Sequence, residues 1–216
     1  VVSTSASASR EAGLSSRELV LRRAIDLASL EGLDRLTIGR LAGDLRLSKS
    51  GLFALFGSKE RLQLAVIEGA RAFYVEHIIL PAQRVPSGTR RLLALIERFL
   101  LNSEEHWLPG GCFFTPVAHE FDSRPGPIRD AIAALIQEGN DVLAQQIRVA
   151  VAKGELRADT DVAELAFELQ GLLFAANLHG QLGLPDAFAR ARSLSRKALR
   201  GHAADDGAFA RLLAES

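Results

Sequence analysis

The chain has 216 residues, 48% of them hydrophobic, enough to bury the core of one large domain or two small ones. Its 26 Lys and Arg balance 26 Asp and Glu, which excludes a protein that is basic throughout and leaves room only for a local cationic edge. A single Cys forbids an internal disulfide and fits a reducing cytoplasm, and no run of about 18 uninterrupted apolar residues offers a membrane span.

In chain order, residues 1–13 read as a Ser/Ala tail, expected to be disordered, with none of the apolar stretch of a secretory signal. Arg10 within it could reach a DNA minor groove or stand idle in solvent. Ser15 or Ser16 caps a first helix in which Val20, Ala24, Leu27 and Ala28 form the buried stripe, and Gly32 stops it. Thr37 caps a second helix, with Ile38, Leu41, Ala42 and Leu45 on one apolar face. Arg46, Leu47 and Ser48 separate it from a third, in which Leu52, Phe53 and Phe56 repeat the helical spacing. Ser48 caps that helix, so Lys49, Ser50 and Gly51 form its exposed first turn. Gly57 ends it, and Ser58 caps the next helix beside Lys59. Two short helices on a three-residue turn describe either an ordinary αα-hairpin or a DNA-reading helix-turn-helix.

The string from Leu36 to Leu62 resembles the DNA-binding signature of the tetracycline-repressor (TetR) family of bacterial transcription regulators. The resemblance rests on Thr37-Ile38, Ala42, Leu47-Ser48-Lys49, Leu52-Phe53, Phe56 and Ser58-Lys59-Glu60, in order and without gaps. It covers roughly the first third of the chain. Three residues depart from the family pattern: Arg46 stands where Gly is usual, Phe53 for Tyr, and Leu55 for His. The last two changes remove polar groups able to meet DNA phosphates. Residues expected at the DNA are Thr37, Arg46, Ser48, Lys49, Ser50, Gly51, Phe53 and Lys59. Charge is neutral on the point: residues 1–60 carry nine Lys/Arg against seven Asp/Glu, and backbone N–H groups, hydroxyls and helix N-termini can supply most phosphate contacts.

From Lys59 a long helix is predicted through Leu64, Ile67, Ala70 and Phe73 to about Ile79, with Pro81 and the Val85–Gly88 segment ending it. Helices follow from Thr89, from Cys112 to Phe121, from Ile128 to Lys153, from Asp159 to about Gly183 and from Asp186 to about Arg200, with a short frayed helix at Gly207 to Ser216. The fold class is therefore all-α: a tail at 1–13, a three-helix DNA-binding domain at 14–60, a larger helical ligand-binding and dimerisation domain at 61–206, and a C-terminal tail at 207–216.

Catalytic constellations are missing from the sequence. Cys112 and His119 lie seven apart, about 10 Å along one helix and too far for thiolate–imidazole contact. The five His residues show no metal-ligand spacing, and no cofactor motif appears. An enzyme is not expected. Bulky residues Trp107, Phe113, Phe114, Phe121, Phe167 and Phe174 could surround a cavity for a small apolar effector, with His119, Gln170, Asn177 and His179 adding polar contacts, or serve simply as core. The resemblance implies an effector pocket in this half.

On the next-to-last helix Leu165, Leu169, Leu172, Leu173 and Ala176, with Gly171, Ala175 and Gly180, place apolar residues on more than one side. Phe188, Ala191, Leu194 and Leu199 give the last long helix a narrower stripe. Two such helices from each of two subunits would make a four-helix homodimer interface, the surface the resemblance implies for reading a near-palindromic operator in double-stranded DNA. The expected function is a cytoplasmic, ligand-responsive regulator, most simply a repressor. The alternatives are a helical small-molecule binding protein whose hairpin touches no DNA, and an architectural DNA binder without an effector.

Overall fold

The computed structural model describes residues 16–214. The Ser/Ala tail, Arg10 and the proposed Ser15 cap lie outside the described residues. Within them the chain is helical and holds no strand. The helices are α1 (Ser16–Glu31), α2 (Ile38–Leu45), α3 (Lys49–Phe56), α4 (Lys59–Tyr74), a π-helical turn (Val75–Ile79), α5 (Leu80–Gln83), α6 (Thr89–Glu104), α7 (Phe114–Phe121), α8 (Pro127–Ala152), α9 (Val162–Gln181), α10 (Ala187–Gly201) and α11 (Asp206–Ala214).

Local chemistry accounts for most boundaries. Thr37, Ser48 and Ser58 each accept the N–H three residues on, from Arg40, Gly51 and Arg61, at 3.0, 3.0 and 3.1 Å. Each bond satisfies one orphan donor of a helix start and stabilises it by about 1 kcal/mol.

Pro81 does not end the linking helix. It supplies no N–H for the carbonyl of His77, and the Arg98 guanidinium donates to that carbonyl at 2.6 Å instead. The backbone absorbs the disturbance in the π turn, where Leu80 N–H bonds Val75 O. The helix then runs on to Gln83. The C-terminal segment is likewise better ordered than a tail: Phe209 is buried, Asp205 accepts the Ala208 N–H, and Arg157 N–H bonds His202 O at 2.9 Å.

Two apolar cores form, and their border does not follow the division at residue 60. The first gathers Ala24, Leu41, Leu52, Phe56 and Val66 with Leu108, Phe113, Val117, Phe121, Ile128 and Ile132 from the second half of the chain. The second is built from α6, the C-terminal part of α8, α9 and α10, around Leu92, Leu100, Ile147, Leu165 and Leu169. Burying each of these Val, Leu, Ile and Phe side chains contributes roughly 1.5–3 kcal/mol. No helix among the described residues is long and apolar enough to cross a membrane.

Candidate nucleic-acid interface and inner cavity

The turn between α2 and α3 is made by Arg46 in the left-handed region, φ 54° and ψ 36°. The N–H groups of Arg46 and Leu47 both reach the Ala42 carbonyl, a closure most often built on Gly. Ser48 then starts α3, and Leu52 and Phe56 turn inward to the first core.

What α3 leaves outside is Lys49, Ser50, Gly51, Phe53, Ala54 and Leu55. Phe53 is 59% exposed, so it belongs to this outer face even though its spacing continues the apolar run. With Ile38 and Gly39 of α2, the residues Lys49, Ser50, Phe53 and Ala54 line a shallow groove, and the Lys49 stem lies over Gly39. A face of one ammonium, hydroxyls, an open helix N-terminus and small or flat apolar groups suits phosphate contacts at its edge and thymine methyl contacts at its centre. Thr37 and Ser48 spend their oxygens on the caps. Lys59 is not a free cation: its ammonium pairs with Asp34 at 3.0 Å. The exposed Leu47 and Leu55 belong to the same surface and were not among the expected contacts; their place shows only once the inward face of α3 is fixed.

The loop before α2 is held from the other half of the chain. Glu120 Oε2 on α7 accepts the N–H groups of Leu33 at 2.8 Å and Asp34 at 3.2 Å. Asp34 also takes Arg124 at 2.8 Å on its second oxygen. Hydrogen bonds from Arg124 first, and then Lys59, hold the Asp34 carboxyl below the usual carboxylate range. Beneath them the Gln63 amide donates to Leu33 O at 2.9 Å.

A cavity of about 130 Å³ opens between α4, the π turn, α6, α7, α8 and α9. Of the ten residues expected to line it, Phe114, Gln170 and Phe174 do so, and His179 is exposed on α9 away from the wall. Phe113 and Phe121 are buried in the first core instead. Trp107 sits under the Arg98 guanidinium, 5.2 Å from its ring centre, and donates to Glu105 at 2.8 Å. His119 is exposed, Phe167 is 75% exposed on the outer side of α9, and the buried Asn177 accepts the Cys112 N–H at 3.2 Å. The wall instead draws on Tyr74, Ile78, Phe99, Leu135, Ile136 and Gly139, none of them expected there.

The cavity's charged rim is Arg71 and Glu138, joined by two bonds at 2.7 and 2.6 Å. The pair raises the Arg71 pKa and lowers that of Glu138. Burial first, then Cys112, pushes the Tyr74 phenol well above its ordinary pKa, so it stays protonated. A larger groove, about 700 Å³, lies against the opposite side of α6. Its walls are rich in Arg, and Arg192 there is neutralised by Glu97 and Glu104. Among the described residues no group of three or more His, Cys, Asp or Glu could hold a metal ion.

The outer side of α9 and its neighbours is apolar and uncovered. Phe167, Leu178, Leu182, Leu184 and Leu194 are exposed, with Gly171 and Ala175 between them, while Leu165, Leu169, Leu173 and Ala176 face the second core.

Residues 88–194 match a family model described as the tetracyclin repressor-like C-terminal domain. The fold is similar to a TetR transcriptional regulator from Chloroflexus aurantiacus J-10-FL, at 25% identity and a TM-score of 0.76 over 85% of this chain and 92% of that one. It is also similar to the TetR family regulator CifR complexed with 26-base-pair operator DNA, at 24% identity and a TM-score of 0.71 over 86% and 96%. A third is AibR in complex with isovaleryl coenzyme A and operator DNA, at 22% identity and a TM-score of 0.63 over 76% and 86%. No curated protein sequence matches the chain.

Proposed function

Because the chain belongs to the TetR family of transcriptional regulators, we propose that it is a DNA-binding regulator that responds to a small molecule, acting as a homodimeric repressor on a near-palindromic operator. In this reading residues 14–60 read DNA and the helices beyond them bind the effector and the second subunit. The outer face of α3 enters the major groove, with Lys49, Ser50, Gly51 and Phe53 at the bases or phosphates and Arg46 at the groove's rim. The exposed apolar side of α9 and α10 meets its copy in a second subunit, which sets the spacing of two recognition helices. The role is binding, without turnover of the effector, in the cytoplasm. Solved relatives described with operator DNA, one of them also with an acyl coenzyme A, support it.

The observation that carries the reading is the position of α7. Its first residue, Phe114, stands in the cavity wall, and Glu120, less than two turns on, holds the loop that enters the DNA-reading hairpin. A ligand against Phe114 that favours another placement of α7 would shift the population of hairpin orientations through Glu120. Selection from random DNA followed by gel shift tests it. The expected product is a two-fold site bound by two chains; binding with no preference over random DNA overturns it.

A further inference from the structure

The cavity wall carries information about what it holds, on the reading that this cavity is the effector site. All its polar groups but Gln170 are fully engaged. Arg71 spends its guanidinium on Glu138 in a two-bond pair. The Tyr74 hydroxyl donates to Cys112 Sγ at 3.1 Å and accepts from Phe113 N at 3.2 Å and Asn102 Nδ2 at 3.3 Å, which fills its bonding capacity. The Gln170 amide donates one N–H to Ile136 O at 3.1 Å, leaving its carbonyl oxygen as an acceptor beside its second N–H. The rest of the wall is ring and hydrocarbon. Tyr74 meets Phe114 edge-on at 4.9 Å and Phe99 at 6.1 Å, and Phe174 closes the α9 side.

We infer that the effector is an uncharged molecule of a single aromatic ring with at most one hydrogen-bond donor, on the scale of toluene or phenol. The volume, about 130 Å³, is close to that of an apolar protein cavity of about 150 Å³ that takes benzene. Ring edges and faces arranged around it favour an aromatic guest over an aliphatic one. An ion finds no unpaired counter-charge in the wall, because using Arg71 would strand Glu138. The one donor of a phenol meets the Gln170 carbonyl.

The test is thermal melting of the full chain with toluene, phenol, benzoate and acetyl coenzyme A, paired with release of a selected DNA fragment. Gly139 lines the cavity, and a Cβ there would meet no atom within 4 Å. Gly139→Leu therefore adds a side chain at the cavity's exposed edge without a clash, and it favours the helix. Toluene and phenol should raise the melting temperature, benzoate and acetyl coenzyme A should not, and Gly139→Leu should abolish both shifts. Gln170→Leu should weaken phenol roughly five-fold and spare toluene. Stabilisation by benzoate or acetyl coenzyme A, no shift with either aromatic, or an undiminished shift in Gly139→Leu overturns the ligand class. Aromatic binding in the cavity that leaves DNA affinity unchanged sustains the ligand class and overturns the effector role instead.

Discussion

Glu120 and Leu33 are 87 positions apart in sequence, yet the carboxylate of one accepts the backbone N–H of the other at 2.8 Å. The bond ties the turn that launches α2 to the helix whose far end touches the cavity. Glu120→Ala removes a charged acceptor from two N–H groups and should cost about 1–3 kcal/mol in urea unfolding. Amide exchange at Leu33 and Asp34 should accelerate in the same variant. Unchanged exchange at both positions would show that the turn holds itself.

Arg46 occupies the left-handed region with φ 54°, which a side chain with a Cβ tolerates poorly. Arg46→Gly should relieve about 1 kcal/mol of strain, partly offset by the entropy Gly gains in the unfolded chain. The variant should melt at the same or a higher temperature, while its DNA affinity falls and the salt slope shrinks. Lower stability with intact DNA affinity would sink both expectations.

Phe56 is 4% exposed in the first core, with the Arg17 guanidinium 5.7 Å from its ring centre. Phe56→Ala should cost roughly 3–5 kcal/mol. Loss of DNA binding should track the fraction unfolded at each temperature. A variant that binds poorly while fully folded would make Phe56 a contact residue rather than a packing one.

Asp26 Oδ1 is buried without a hydrogen-bond partner; the nearest cation is Arg22 Nε, 3.7 Å away. Burial raises its pKa above the ordinary 3.8, against the pull of Arg22 and Arg23. The folded carboxyl thus holds its proton more tightly than the unfolded one, and this group's contribution to stability falls as pH rises from 3.8 through the folded pKa. Asp26→Asn should be at least as stable as the parent at neutral pH and lack that decline. A clear loss of stability at pH 7 would mean that the Arg22 attraction outweighs burial.

Phe167, 75% exposed, tests the apolar side of α9. Phe167→Glu should leave melting of the isolated subunit unchanged and shift sedimentation from dimer to monomer. DNA affinity should fall at least ten-fold with it, because one recognition helix alone binds weakly. An intact dimer would place the subunit contact elsewhere.

The caps at Thr37, Ser48 and Ser58, the stop at Gly57 and the inward stripe of α1 were legible in the sequence because each is decided within a few residues. The continuation past Pro81 was not, since the bond that rescues the His77 carbonyl comes from Arg98, on the next long helix. The aromatics divide for a related reason. Periodicity marks Phe113, Phe121 and Phe167 as apolar, but only the packing shows the first two inside the first core and the third facing out. Tyr74 and Gly139 could not be assigned to the cavity from periodicity, because a helix lining a hole has the same pattern as a helix filling one.

The shared first core also bears on protein engineering. A fragment cut at residue 60 would leave Leu41, Leu52 and Phe56 without Phe113, Val117 and Phe121, and would expose a raw apolar surface in place of a finished one. Transplanting this reading head onto a foreign sensor therefore calls for grafting the strip from Leu108 to Ile132 along with it, or rebuilding the seam.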